Sequence, residues 1–357
     1  MDFLPRTMGT RPRLACEVRP EGVVAARAEE GSTLLAAVSH VELAPGAALP
    51  QLRSAHGIAA EAGSASLSRE DRSVLVDALR RSLESVAARG RETTLIVPDS
   101  AVRVLLLDFD ALPGKLVEAL PIVRFRLKKL LPFDADNAAI SYQVMSSARG
   151  LVRVLAVAIP GELLTEYESV VREAGFEPGA VLPSTLAAVA GLPTGESATL
   201  VINAGLQGVT TAITRGGVLL LHRTVDLSVL ENPAPAPLEL DPAYPMAAAA
   251  ELQAAELGRE VTAESATRTA KFELTQAVSV AAAYYEDTLG APPPALLAGG
   301  TLGAEALSSI LAQSEVGPVP VDEMVDPAML ATTVTGFGIG NTLPLGWLAG
   351  VRGALAG

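Results

Sequence analysis

Three short apolar-rich runs open the chain: Arg13 to Val18 (RLACEV), Gly22 to Ala28 (GVVAARA) and Thr33 to Leu43 (TLLAAVSHVEL). Turn residues separate them at Pro20-Glu21-Gly22 and at Glu30-Gly31, so the pattern predicts an antiparallel meander. Residues 44–67 are rich in Ala, Gly and Ser and read as a loop. Val74, Leu75, Ala78, Leu79, Leu83 and Val86 then recur at helical spacing up to Arg89-Gly90, with Ser68 and Asp71 placed as a loose capping box. Thr93 to Val97 and Val102 to Leu107 read as buried strands. A second meander follows far downstream: Thr199 to Ile202, Val209 to Thr214 and Val218 to Val225, joined by Gly205 and by Arg215-Gly216-Gly217. A helix-rich stretch and a strand at Ala295 to Ala298 complete it. The same order of elements thus occurs twice, from near residue 13 and from near residue 198, as a repeat of pattern and not of letters. Two such α/β halves leave a cleft between them, the default place for a ligand.

Between the halves, Leu116, Leu120, Val123, Leu127 and Leu130 mark one face of a helix that Pro132 ends, while Arg124, Arg126, Lys128 and Lys129 fill other faces. The alternation Ile140, Tyr142, Val144 then predicts an edge strand. Pro233 to Pro245 carries Pro at five positions and reads as a linker. Gly336-Phe-Gly338-Ile-Gly340 lacks the strand-to-helix setting of a dinucleotide loop and reads as the lead-in to a last helix through Trp347.

Composition narrows the function classes. Hydrophobic residues make up 49% of the 357 residues and charged ones 19%, a globular balance. Aromatics are only 4%, so the cores are expected to be Ala, Val and Leu packing. Asp plus Glu number 40 against 27 Lys plus Arg, and the formal charge of -13 argues against binding nucleic acid. Cys16 is alone and His40, His56 and His222 are scattered, which leaves no thiolate or imidazole cluster for a metal. No run reaches the roughly 18 apolar residues of a membrane span, and Met1 to Thr10 has no apolar signal core. The expectation is a soluble, cytoplasmic protein. No Gly-x-Ser-x-Gly elbow or Ser-His-Asp cue points to a catalytic residue.

The residues carry a family resemblance. The order LPGKLVEALPIVRFRLKKLLPFDADNAAISYQV, AGFEPGAVLPSTLAAVAGL, an LVINAG hairpin and LLAGG resembles the PilM family of actin-like type IV pilus assembly proteins, over most of residues 13–354. Its most specific part is Leu131 to Val144, where Pro132-Phe133 precedes Ser141-Tyr142-Gln143. The resemblance implies an actin-like (ribonuclease H-like) duplicated α/β ATPase fold. Residues 1–97 would begin the first half, 98–150 form an inserted small subdomain, 151–197 complete the first half and 198–357 form the second. It implies a partner, the N-terminal cytoplasmic tail of a bitopic PilN-like inner-membrane protein, bound near Phe125, Phe133, Ile140 and Tyr142. The protein would then sit peripherally at the inner membrane, beside other platform or motor components, without inserting. Head-to-tail self-association of actin-like halves is a further option.

The resemblance also implies ATP with magnesium, through a hairpin starting Asp-x-Gly in each half. A Gly turn lets backbone N–H groups reach phosphate, and the carboxylate holds magnesium through water. Here Glu17 keeps a carboxylate but Arg19 fills the glycine position, while Asn203 has lost the carboxylate and Gly205, Gln207, Thr210 and Thr211 remain. Gly299-Gly300 would make the adenosine-side turn, and Glu256 and Arg259 the acidic and basic helix pair around the nucleoside. Each has a plainer alternative: Gly205 as a bare hairpin turn, Gly299-Gly300 as a chain reversal, Glu256 and Arg259 as a solvated helix face. The basic cluster Arg124 to Lys129 likewise reads as a solvated face or as a docking surface. The losses weaken magnesium-assisted phosphoryl chemistry more than binding. The leading expectation is a pilus-platform adaptor with no catalytic residues. The alternatives are a working ATPase or small-molecule kinase of the same superfamily, and a type II secretion scaffold, which is normally fused to a membrane span.

Overall fold

The structure is a computed structural model. It describes residues 12–29, 32–52, 67–148, 150–227, 245–313, 319–335 and 343–356, with backbone alone for 245–266 and 332–335. The expected linker at 233–244 and the glycine run at 336–340 lie outside the described residues.

The first meander forms β1 (Leu14–Arg19), β2 (Gly22–Ala28) and β3 (Leu35–Glu42). Helix α1 (Arg69–Val86) follows, and Ser68 Oγ accepts from Asp71 N at 3.1 Å as its N-cap. Leu75, Ala78, Leu79, Leu83 and Val86 are buried as the periodicity predicts, but Val74 faces solvent and Val76 takes its place inside. Next come β4 (Glu92–Val97), β5 (Arg103–Phe109), α2 (Leu116–Leu127), β6 (Ala138–Ala148), β7 (Leu151–Pro160), α3 (Gly161–Glu173), β8 (Glu177–Pro183) and α4 (Ser184–Ala190). The second repeat runs β9 (Thr199–Ala204), β10 (Gly208–Arg215), β11 (Val218–Asp226), α5 (Pro245–Leu289), β12 (Leu296–Gly300), α6 (Gly303–Leu311) and β13 (Val321–Glu323). The chain ends with β14 (Leu330–Thr335) and α7 (Ala349–Leu355).

The repeat is confirmed in the sheets. The larger one has the order β14-β3-β2-β1-β4-β8 and the second β11-β10-β9-β12-β13. Without β14 both read 3-2-1-4-5, with the meander antiparallel and the last strands parallel to the first. This is a ribonuclease H-like half built twice. Helices cover both faces of the first sheet, which explains strands apolar throughout instead of alternating. Cys16 and Val18 pack with Leu79 and Leu83 of α1 and Tyr167 of α3, while Ala15 packs with Leu186 of α4 and Val351 of α7.

Two boundaries differ from those expected. The small sheet has the order β5-β7-β6, so the inserted subdomain takes in β7 and extends to Pro160, beyond residue 150. The final segment does not stay with the second half: β14 pairs with β3 and α7 packs on α4, β1 and β2. An apolar run tells that a strand is buried but not against which sheet. Within the subdomain, Val123 and Leu127 of α2 pack on Leu107, Val154 and Ala156, with Ile140 and Tyr142 of β6 partly buried beside them. Among the described residues β6 is paired on one side only, by β7, which makes it the expected edge strand.

Candidate functional site

The turns at the ends of β1, β4, β8, β9 and β12 converge where the two halves meet, and they bring polar side chains into an otherwise apolar interior. Glu17 and Arg19 lie on β1, Glu21 in the turn after it, Asp99 after β4, Ser184 and Thr185 at the start of α4, and Asn203 near the end of β9. Glu17 is fully buried, and Arg19 and Asn203 nearly so.

Arg19 is the centre of this network. Its Nε donates to Glu17 Oε1 at 2.7 Å and its Nη2 to Ser184 Oγ at 2.7 Å and to Asn203 Oδ1 at 2.6 Å. Ser184 Oγ in turn donates to Glu17 Oε1 at 2.6 Å. Asn203 Nδ2 donates to Ser184 Oγ at 2.9 Å and Thr185 Oγ1 at 2.8 Å. Asp99 accepts from Thr185 N and from Thr185 Oγ1. Burial pushes the Glu17 carboxyl above the usual range, with the attraction of Arg19 offsetting part of the rise. Burial alone would make the Arg19 cation easier to discharge, but Glu17, Glu21 and Asp99 together hold it charged more firmly than usual. The cation is thus held by a carboxylate, a hydroxyl and an amide oxygen together.

Two further carboxylates occupy backbone donors. Glu21 Oε1 accepts from Leu206 N, in the turn of the opposite hairpin, at 2.5 Å and from Thr301 Oγ1 at 2.9 Å. Glu323 Oε1 accepts from Ala304 N, in the first turn of α6, at 2.8 Å. A Cβ on Gly205 would lie 2.7 Å from Glu21 Oε1 and 3.2 Å from Thr301 Oγ1, so a larger residue there would push these side chains aside. Gly300 has φ +88°, and a Cβ on it would overlap the Ala204 carbonyl and sit 2.7 Å from Asn203 Oδ1.

Of the residues expected to hold nucleotide, Glu17, Asn203, Gly205, Gly299 and Gly300 are therefore brought together. Gln207 sits in the β9–β10 turn, where its carbonyl accepts from Leu227 N. Thr210 is buried in β10 with its hydroxyl 3.0 Å from that of Thr224, inside the sheet. Glu256 and Arg259 fall in the part of α5 for which only backbone is described. Sequence reasoning passed over Glu21, Asp99, Ser184, Thr185, Thr301 and Glu323. The signal available was a polar residue within two positions of the end of a strand, as in Val97-Pro98-Asp99 and Pro183-Ser184-Thr185.

The residues do not fit a magnesium nucleotide. The donors of the second hairpin turn and of α6 already hold carboxylates, and a guanidinium stands between Glu17 and Asn203. Among the described residues no group of three or more His, Cys, Asp or Glu is arranged to hold a metal ion.

The residues expected to bind a partner lie on the inserted subdomain. Phe125 on α2 is 66% exposed, with the Lys129 ammonium 6.0 Å from its ring centre. Phe133, Ile140 and Tyr142 are partly buried. Leu116 and Val117 of α2 are exposed as well. Arg124 and Lys128 of the basic cluster are engaged locally, with the carbonyls of Ala135 and Ala138 and with Asp136. Among the described residues no helix is long and apolar enough to cross a membrane.

No protein-family model matches this sequence, and no curated protein matches it. Among solved structures, the PilM–PilN type IV pilus biogenesis complex is similar over 96% of this chain and 98% of that chain, at 17% identity and a TM-score of 0.67. The cytoplasmic domain of EpsL, an inner-membrane component of the type II secretion system of Vibrio cholerae, is similar over 96% of this chain and 94% of its own, at 13% identity and a TM-score of 0.46. A Bacteroides thetaiotaomicron protein with an actin-like ATPase fold and unknown function covers 87% of this chain and 89% of its own, at 10% identity and a TM-score of 0.43. The fold is actin-like, PilM-like in its whole course.

Proposed function

We propose that this chain is a cytoplasmic adaptor of a type IV pilus platform, which binds the N-terminal cytoplasmic tail of a PilN-like inner-membrane protein and so sits peripherally at that membrane. The observation that carries this reading is the likeness, along nearly the whole of both chains, to a structure described as a complex of PilM with PilN. The inserted subdomain supplies a physical route. Among the described residues β6 pairs with β7 alone, so an extended peptide would add on its outer side as a further strand and place alternate side chains over Ile140, Tyr142 and Phe133. Phe125 and the basic end of α2 would flank that peptide. A working ATPase or kinase is the weaker reading, because the buried Arg19 occupies the middle of the polar cluster.

The test is titration with a synthetic peptide of the PilN-like tail from the same organism, by calorimetry. Tyr142→Ala and Phe133→Ala should each weaken binding about tenfold, the loss of roughly 1–2 kcal/mol expected for an aromatic anchor, with circular dichroism unchanged. Unchanged affinity in both variants would remove the peptide from this edge, and no binding to the wild type would remove the adaptor reading itself.

A further inference from the structure

We propose that the cleft between the two halves is closed by the chain's own side chains and takes no nucleoside triphosphate. Glu21 and Glu323 hold backbone donors that a phosphate chain would need, and the Arg19 guanidinium takes the place of a bridging cation. This inference does not rest on the adaptor reading.

Three observations converge on it. First, a Gly-containing hairpin turn and a helix N-terminus present N–H groups to an anion, as phosphate sites do. In this chain each such anion is internal: Glu21 for Leu206 N, Glu323 for Ala304 N. Second, those bonds join the halves. Glu21 belongs to the β1–β2 turn of the first half, and its partners Leu206 and Thr301 belong to the second. Arg19 does the same on the buried side, from Glu17 to Asn203. Asn203 suits this role: its carbonyl accepts from the guanidinium, while its amide donates to Ser184 and Thr185. Third, the backbone of the C-terminal segment leaves no room behind the carboxylates. A Cβ on Gly350 would overlap Glu17 Oε2, and one on Gly346 would lie 2.6 Å from Glu323 Oε2.

A nucleotide would have to displace two carboxylates and place its phosphates beside them, so charge repulsion adds to the lost bonds. The bonds that close the two halves on each other are here made by the chain's own side chains. Glu21 and Arg19 act as a latch, and the two halves are expected to stay closed without cofactor.

The experiment uses the full chain and two readouts. In calorimetry and thermal-shift assays, Mg-ATP, Mg-ADP and Mg2+ alone at about 1 mM should give no saturable heat and no rise in Tm; a micromolar ligand at that concentration would be plainly visible. Saturable binding of either nucleotide to the wild type would overturn the proposal. In hydrogen exchange followed by mass spectrometry, the peptide containing Leu206 should be protected in the wild type and exchange about tenfold or more faster in Glu21→Met, which has no oxygen to accept from Leu206 N. Glu21→Met nearly keeps the side-chain size and leaves the buried pair Glu17–Arg19 intact, so it is expected to fold; Thr301→Val is the second variant and should raise exchange in the same peptide. Unchanged protection of Leu206 in both folded variants would overturn the latch. Tail-peptide titration on the same wild-type sample separates the two proposals. Tail binding together with nucleotide binding sinks only this one, and absence of both sinks only the adaptor.

Discussion

The polar cluster shows how a single residue can be read correctly and still be misjudged. The sequence marks Arg19 as bulk where a phosphate loop would have glycine, hence as an obstacle. The structure makes it the residue that ties β1 to β9 across 184 positions of chain. Asn203, expected as a lost carboxylate, is the amide that this guanidinium needs. Neither role is legible locally, because both depend on which turns the fold brings together. Two partly buried imidazoles support a prediction at this scale. His40 lies edge-on to Trp347 at 4.5 Å, and the Nε2 atoms of His40 and His222 are buried without a partner. Burial lowers both pKa values below that of a free imidazole, with Glu42 and Asp99 offsetting a part. Below about pH 6.5 the unfolded chain then binds protons that the folded chain refuses, so stability falls as the pH drops through that value. Glu17, raised by burial, acts in the opposite sense, because a raised carboxyl favours the folded chain as the pH falls. The histidine contribution is therefore read as a difference. Between pH 7.5 and 5.5, Tm should fall more steeply for the wild type than for His222→Gln, and parallel curves would refute the assignment.

Elements were more legible than contacts. The meanders, the edge strand β6 and the start of α1 lie where hydrophobic period and turn residues put them, since those signals depend on neighbours a few positions apart. What escaped was the allocation of β7 to the small sheet and of β14 and α7 to the first half, because an apolar run of six to ten residues fits several sheets equally well. The return of α7 has a sequence reason visible only in three dimensions. Gly353 lies so close to α4 that a Cβ would overlap the Ala187 carbonyl, and Gly191 meets Gly353 from the other side. Small residues let the two short helices approach at backbone distance, which bulkier ones would prevent. Gly353→Ala would gain a little helix propensity but must push α7 off α4, and overpacking of this kind costs about 1–3 kcal/mol. The expected outcome is a Tm several degrees lower, whereas Gly290→Ala, in a turn with nothing within 4 Å of a Cβ but with φ +77°, tests backbone strain alone. A stabilised Gly353→Ala protein would show that the helices are not in contact as described.

At the scale of the molecule, the duplicated halves could in principle unfold one after the other, since each has its own sheet and its own core. Three features argue for a single cooperative unit. The chain leaves the second half to add β14 to the first sheet and to seat α7 against β1 and β2. One apolar cluster runs through both halves, joining Ala15, Val24 and Leu186 to Val201, Ala212 and Trp347. The polar latch joins them again through Arg19, Glu21 and Asn203. Coupling of this extent makes the free energy of opening one half depend on the other, which is the condition for a two-state transition even in a chain of this length. Calorimetry of the wild type should therefore show one peak with equal calorimetric and van't Hoff enthalpies. Ending the chain at Leu343 removes Trp347 and α7, exposes Glu17 and the inner face of the first sheet, and should lower and split that peak, with the second half melting last on its own core of Leu200, Ile202, Val278 and Leu296. Two resolved peaks in the wild type would mean that the halves are joined only loosely. A latch across the cleft would then have little leverage over the shape of the whole protein.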